Sequence, residues 1–289
     1  MEALRIEQLG AGREGEALAF LAGDPVRNLR MIWAVRRWGL FNLGLAEQGS
    51  YLAAFGAGGM RGLLFRSNLN LWRLGGAREA GRELAAEALS RWGLPEVLAG
   101  PQDEVEMLLR EVPALARAVE RREAEVSLLL TAERFRPLRG AAKRAGEDDL
   151  DDLVELERMM QVELLGGCAA DWVIRLQMRR AVEEGTAALV RHAGRAVAKA
   201  EMEASTPQAD ELGGVYTVPR YRRRGFASSA CTLVCASSLA RGKKVRLETQ
   251  RENAAALAFY ARLGFEELWP HLAVRFVRPG RGWQRRGPF

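Results

Sequence analysis

The chain has 289 residues, 48% of them apolar, and a formal charge of +6. That length gives room for two ordinary domains or one large one, and no segment is long and charge-free enough to span a bilayer. Its 43 Lys and Arg are interleaved with 37 Asp and Glu, which reads as a solvated mixed-charge surface rather than a nucleic-acid footprint. Neither a nucleic acid nor a membrane is therefore expected as a partner. The opening residues Met1–Glu7 lack the basic and apolar regions of a signal peptide, so a cytoplasmic location is expected. Cys168, Cys231 and Cys235 form no disulfide framework. The two histidines lie far apart in sequence, which argues against a zinc site, and no metal is expected.

In chain order, Leu4–Leu9 is a strand candidate, followed by helices over about Glu14–Ala22 and Pro25–Trp38. Between the first two, Gly10–Gly15 fits Gly-x-Gly-x-x-Gly. A dinucleotide site would then need a second strand ending in an acid about twenty residues on. The chain there is Arg30–Arg37, helical in rhythm and basic, so a plain turn is expected. Strand-like runs follow at Phe41–Leu45, Tyr51–Phe55, Gly62–Phe65 and Leu69–Leu74, then a helix around Ala77–Ser90. A strand-like run at Val126–Thr131 precedes a boundary near Phe135, where a proline follows. This divides the chain into an N-terminal domain, 1–134, a C-terminal domain, 135–280, and a basic tail, 281–289.

The second half opens with a short strand, Leu138–Arg144, and an acidic helix start at Glu147. Leu150, Leu153, Val154, Leu156 and Met160 give that helix one apolar face. A second helix spans roughly Asp171–Glu184. Strands at about Ala187–His192 and Ala196–Ala204 flank the turn Ala193-Gly194. Then comes the most informative stretch, Val215–Ser229. A β-branched run ends at Pro219, and an Arg- and Gly-containing loop leads into an apolar helix, Phe226–Ala240. Arg222, Gly225 and Ala227 fit Arg-x-x-Gly-x-Ala. Such a strand–loop–helix junction offers free N–H groups and the positive end of a helix dipole to a pyrophosphate, and glycine lets the backbone approach the anion. The turn Arg241-Gly242 and a strand, Val245–Gln250, follow. Asn253 then stands seven residues before Tyr260, and the run closes on Gly264-Phe265.

On these two motifs, in this order and separated by one strand, the chain resembles the GCN5-related N-acetyltransferases, the GNAT superfamily. The resemblance covers roughly residues 138–278 and is most specific over 215–265. It implies a mixed α/β fold with a mostly antiparallel sheet flanked by helices. The first half repeats the order and hydrophobic rhythm without any Arg-x-x-Gly-x-Gly/Ala, and reads as a degenerate copy of the same plan, giving two tandem domains.

The resemblance further implies acetyl-CoA as co-substrate and transfer of an acetyl group to an amine by direct attack in a ternary complex. The acceptor would be a small-molecule or protein amine, which the sequence does not specify. The CoA contacts fall on the backbone around Arg223, Arg224, Gly225, Phe226, Ala227 and Ser228, with Arg222 bracing the loop. One N–H among Tyr216, Thr217 and Val218 would polarise the thioester carbonyl, from a strand that splays away from its neighbour. Asn253 would lie near the pantetheine arm, and it is also a good helix N-cap. Tyr260 is the candidate general acid for the leaving thiolate. An alkyl amine of pKa near 10 must also lose a proton. Strand alternation sets Lys199, Glu201 and Glu203 on one face, and Glu201, with Glu203 as the other choice, is the candidate base. Two other readings stay open: a non-catalytic acyl-CoA sensor or scaffold, and an aminoacyl or peptidyl transferase of tandem architecture. The N-terminal domain would cover the acceptor cleft or form a homodimer.

Overall fold

The structure, a computed structural model, describes residues 4–76 and 80–277. The basic tail and the expected helix start at Ala77 lie outside the described residues. In chain order the elements are β1 (Arg5–Leu9), α1 (Glu14–Leu21), α2 (Leu29–Trp38), β2 (Gly49–Gly56), β3 (Gly59–Ser67), β4 (Leu71–Gly76), α3 (Gly81–Trp92), β5 (Val97–Pro101), α4 (Gln102–Glu111), α5 (Pro113–Arg117) and β6 (Val119–Leu130). They continue with β7 (Ala142–Arg144), α6 (Leu150–Leu165), α7 (Asp171–Glu183), β8 (Ala187–His192), β9 (Arg195–Ser205), β10 (Ala209–Thr217), α8 (Phe226–Leu239), β11 (Lys244–Gln250), α9 (Ala254–Leu263) and β12 (Glu266–Phe276). This is a mixed α/β fold with mostly antiparallel strands flanked by helices.

Two compact units emerge. The first holds the residues up to Ser127 together with Glu248–Asn253 and the run from Glu267; the second holds Leu128–Leu247 and Ala254–Glu266. Sequence reading placed everything from 135 to 280 in the C-terminal domain. The last strand departs from that division, because β12 pairs antiparallel with β5, His271 opposite Pro101 and Arg275 opposite Val97.

In the first unit β1, β2, β3 and β4 are antiparallel neighbours, and β4 then pairs parallel with β5. Both faces of this sheet are covered. Tyr51, Ala53 and Phe55 point with Leu63 and Phe65 into a core shared with Leu21, Met31, Ile32 and Val35. The alternate residues Leu52 and Ala54, with Leu64 and Trp72, face Leu84, Leu98 and Leu108, and β12 adds Leu272, Val274 and Phe276. Burial on both faces explains why β2 reads as a continuous apolar run instead of an alternating one.

Phe41–Leu45 is not the expected strand. The buried Gln48 side chain accepts the N–H groups of Leu43 (2.8 Å) and Leu45 (3.3 Å), so this backbone is satisfied without a neighbouring strand. The expected helix from Pro25 begins at Leu29, and the Gly10–Gly15 stretch is a turn running into the start of α1, with Glu14 accepting the Gly12 N–H at 2.8 Å. The chain between α3 and β6 also forms β5, α4 and α5, which the sequence reading did not anticipate.

The second unit repeats the order of the first: one strand, two helices, three strands, a helix and a parallel strand. β7, β8, β9 and β10 are antiparallel neighbours, and β10 pairs parallel with β11. The expected strand Leu138–Arg144 is shorter, because Leu138 donates its N–H to Thr232 Oγ1 at 3.1 Å instead of to a strand. Leu150, Leu153 and Val154 of α6 pack with Ile174 and Met178 of α7 onto Ala187 and Leu189 of β8. No described helix is long and apolar enough to cross a membrane.

Candidate active site

The site is built where β10 and β11 part. Their parallel pairing covers Ala209–Glu211 against Lys244–Arg246 and stops there. From Leu212 onward β10 stays bonded to β9, with a register shift between Gly213 and Tyr216. Gly214 sits at this bulge with φ 55°, and a Cβ on it would meet Glu201 Oε1 at 2.3 Å and Lys199 Nζ at 2.7 Å. Only glycine fits that backbone beside two buried charged side chains.

The bulge decides which N–H groups face the opening. Val218 donates its N–H to Val197 O on β9 at 3.0 Å. Successive strand N–H groups alternate in direction, so the Thr217 N–H faces the opposite edge, where β11 has left. Of the three expected donors, Val218 is thus committed elsewhere. Tyr216 is 5% exposed and donates its hydroxyl to Glu163 Oε2 at 3.0 Å.

Arg222 braces the following loop. Its Nε donates to Thr217 O at 3.0 Å, and its guanidinium also bonds Glu163 near the end of α6. That Arg222 bond is the main cause holding the Glu163 carboxyl below its ordinary range. Glu163 therefore ties α6 to both the strand and the loop, and it carried no sequence signal. Beyond Arg222 the backbone turns left-handed twice, at Arg223 (φ 60°) and at Gly225 (φ 83°), with Gly225 as the N-cap of α8. Among the described residues, the N–H groups from Arg223 to Ser228 make no backbone hydrogen bond; the first to do so is Ser229, to Gly225 O at 3.1 Å. Backbone of this shape forms a concave nest of N–H donors at a helix N-terminus, suited to an anion. A Cβ on Gly225 would meet nothing within 4 Å, so the space above the nest is open.

The three guanidiniums of the loop have different duties. Arg222 is a brace. Arg224 lies over the rings of Tyr221 (5.8 Å) and Phe226 (5.4 Å) and meets His192 Nε2 at 3.2 Å. Arg223 is exposed and forms no ion pair among the described residues.

Tyr260 on α9 is 9% exposed and packs against the rings of Phe259 (4.8 Å) and Phe265 (5.5 Å). Burial pushes its phenol well above the ordinary value, with the nearby Cys231, Cys235 and Glu203 adding to the shift. The hydroxyl keeps its proton at neutral pH. Asn253 immediately precedes α9 and donates its N–H to Gln250 O at 3.0 Å.

Glu201 is not open to a substrate. It is 8% exposed, and its Oε1 lies 2.6 Å from Lys199 Nζ, which also meets Glu157 Oε2 of α6 at 2.8 Å. Burial works against the Lys199 charge, but the Glu201 and Glu157 carboxylates outweigh it and hold the ammonium above its ordinary value. Burial pushes Glu201 up despite Lys199. The alternation that placed Lys199 and Glu201 on one face was right, yet that face is covered by α6. Glu203, two residues on, is exposed and its carboxylate lies over Gly213.

Residues 154–265 match the model of the acetyltransferase (GNAT) family. This region is a GNAT domain. The chain is similar in fold to solved structures over nearly its whole length. One is an acetyltransferase of the GNAT family from Colwellia psychrerythraea, with a TM-score of 0.64 at 14% identity, covering 94% of this chain and 100% of that one. Another is a GCN5-related N-acetyltransferase from Sphaerobacter thermophilus, with a TM-score of 0.67 at 13% identity, covering 97% and 98%. A tandem GNAT protein from the clavulanic acid biosynthesis pathway has a TM-score of 0.60 at 15% identity, covering 94% and 98%. At these identities the likeness is one of fold. No curated protein sequence matches the chain.

Proposed function

We propose that the GNAT domain transfers an acetyl group from acetyl-CoA to an amine, both bound at once. The observation that carries this reading is the open nest of N–H donors from Arg223 to Ser228, next to a strand edge that its neighbour has vacated. Bound there, acetyl-CoA supplies an activated thioester.

The chain's own residues divide the remaining work. The nest and the α8 dipole hold the pyrophosphate, and exposed Arg223 adds a positive charge. The Thr217 N–H is fixed in a strand, so it needs no reorganisation to stabilise charge on a carbonyl oxygen. Tyr260 donates a proton to the departing thiolate. Glu203, exposed and close enough for its charge to bear on Tyr260, replaces Glu201 as the acceptor of the amine proton, directly or through water. A covalent acyl-enzyme is disfavoured, because burial pushes the Cys231 and Cys235 thiols far above the range in which a thiolate forms.

Thermal unfolding with and without acetyl-CoA tests the reading, on the wild type and on Gly225→Trp. A ligand at a hundred times its dissociation constant adds about 2.7 kcal/mol to native stability. That shift is expected in the wild type and lost in the variant, whose indole fills the open space. Release of free thiol on addition of amines then identifies the acceptor. No stabilisation of the wild type at saturating acetyl-CoA would sink the proposal.

A further inference from the structure

We propose that the first unit carries a binding site for a divalent transition ion of zinc's class, ligated by His271 and Glu248 with Glu125 behind the imidazole. The three residues come from β12, β11 and β6, and one ligand atom from each lies within 4.8 Å of the others. The His271 side chain is 3% exposed, Glu125 21% and Glu248 16%. Sequence spacing gave no hint of this, because only the strand pairing brings these positions together.

The geometry distinguishes the two sides of the ring. Nδ1 is 2.9 Å from Glu125 Oε2, the length of an ordinary hydrogen bond. An Nδ1–H donated to Glu125 would leave the Nε2 lone pair for a cation beside Glu248 Oε1, which lies 3.3 Å from Nε2 and off the line of a hydrogen bond. In that tautomer Nε2 and Oε1 are both acceptors, and a cation would bridge them. A proton there would make an imidazolium–carboxylate bond, which is normally about 2.7–2.9 Å long. The observed separation instead matches the edge of a tetrahedron around an ion with bonds of about 2.0–2.1 Å, which is roughly 3.4 Å.

Carboxylate, imidazole and metal in line is the arrangement by which an outer carboxylate orients a ligating histidine and raises its basicity. One nitrogen and one carboxylate oxygen favour zinc and its neighbours over the oxygen-seeking magnesium and calcium. Water completes the coordination. The ion would pin the last strand to the first unit, and the inference is independent of the acetyltransferase reading.

The test uses the full chain, stripped with chelator and titrated with Co²⁺, then with Zn²⁺ in competition. One equivalent of Co²⁺ with visible d–d absorption is expected, displaced by Zn²⁺. His271→Ala should abolish it, and Glu125→Gln should weaken it about 10–100-fold as an orienting carboxylate does. His192→Ala and Cys168→Ser, at exposed positions elsewhere, should leave it unchanged. Circular dichroism verifies that each variant is folded. Absence of saturable Co²⁺ binding to the folded wild type overturns the proposal without recourse to a variant; His271 then bridges the carboxylates as an imidazolium. Binding that survives in His271→Ala overturns it equally.

Discussion

The two units follow one order of elements and differ in what packs on their third and fourth strands. In each, a helix and a parallel partner follow the fourth strand, and among the described residues the glycines beside that helix meet different surroundings. At the end of β4, a Cβ on Gly76 would strike the Phe20 ring at 2.1 Å, and one on Gly75 would strike Met31 at 2.4 Å and Leu21 at 2.9 Å. Side chains of α1 and α2 press onto that strand end. At the start of α8, a Cβ on Gly225 would meet nothing within 4 Å. The strand before the junction differs too. Where β9 buries Lys199 and Glu201, β3 buries Leu63 and Phe65. A shared topology therefore does not by itself set what packs beside the fourth strand.

The largest test of this comparison is truncation after Glu266. The first unit would lose β12, with Leu272, Val274 and Phe276 from its core. Fully burying three such side chains is worth roughly 5–9 kcal/mol, comparable to the whole stability of a domain. Limited proteolysis should then cut within residues 4–127 while sparing 128–247. Protection of both regions would mean that β12 is dispensable to the first unit.

Next comes the charged floor of the second unit. Lys199→Met leaves Glu157 and Glu201 buried without their cation, at a cost of about 3–5 kcal/mol. Replacing all three by apolar residues of similar volume should restore most of that loss, because the first unit does without charge at this level. A Lys199→Met variant with an unchanged denaturation midpoint would show that water reaches the cluster.

Tyr260→Phe probes the chemistry. Loss of a general acid typically costs 10²–10⁴-fold in rate. The phenol is buried among Phe259 and Phe265, so folding and the stabilisation by acetyl-CoA should survive. A full rate of thiol release in this variant would assign the proton transfer to another group.

Much of this was legible in the sequence, and unevenly so. The junction at Arg222–Ala227 and the Asn253–Tyr260 spacing are local patterns, and their backbone consequences, φ 83° at Gly225 and the N-cap of α8, follow from nearby residues. Partner choice is not local. Nothing in Glu266–Phe276 says that its neighbour is Val97–Pro101. Glu163 looked like one of many helix acids until the fold set it against Tyr216 and Arg222. Glu201 read as the candidate base because alternation gives the side of a strand but not what covers it.

The smallest expected effect concerns the start of the first long helix in each unit. In the second, Asp149 is 2% exposed and accepts the Gly146 N–H at 3.0 Å, with Lys143 at 2.8 Å and Arg191 at 2.9 Å. Burial opposes its charge, but these three partners outweigh burial and bring the carboxyl from 3.8 to about 2. A carboxyl depressed by folding adds stability above its unfolded value and loses it as pH falls through the folded one. Asp149 should thus contribute up to about 2 kcal/mol at neutral pH, lost between roughly pH 4 and pH 2. Glu14 stands near the start of the first helix of the first unit, its carboxyl held below the ordinary range by backbone N–H groups, its own and those of Leu40 and Gly12. Acid titrations of the wild type, Asp149→Asn and Glu14→Gln should therefore separate the two. Asp149→Asn lowers stability at pH 7 and converges with the wild type near pH 2, while Glu14→Gln shows a smaller loss of the same sign. Equal responses would mean that N–H donors alone set the acid limit of both units, and that the cations around Asp149 are as well solvated as any on the surface.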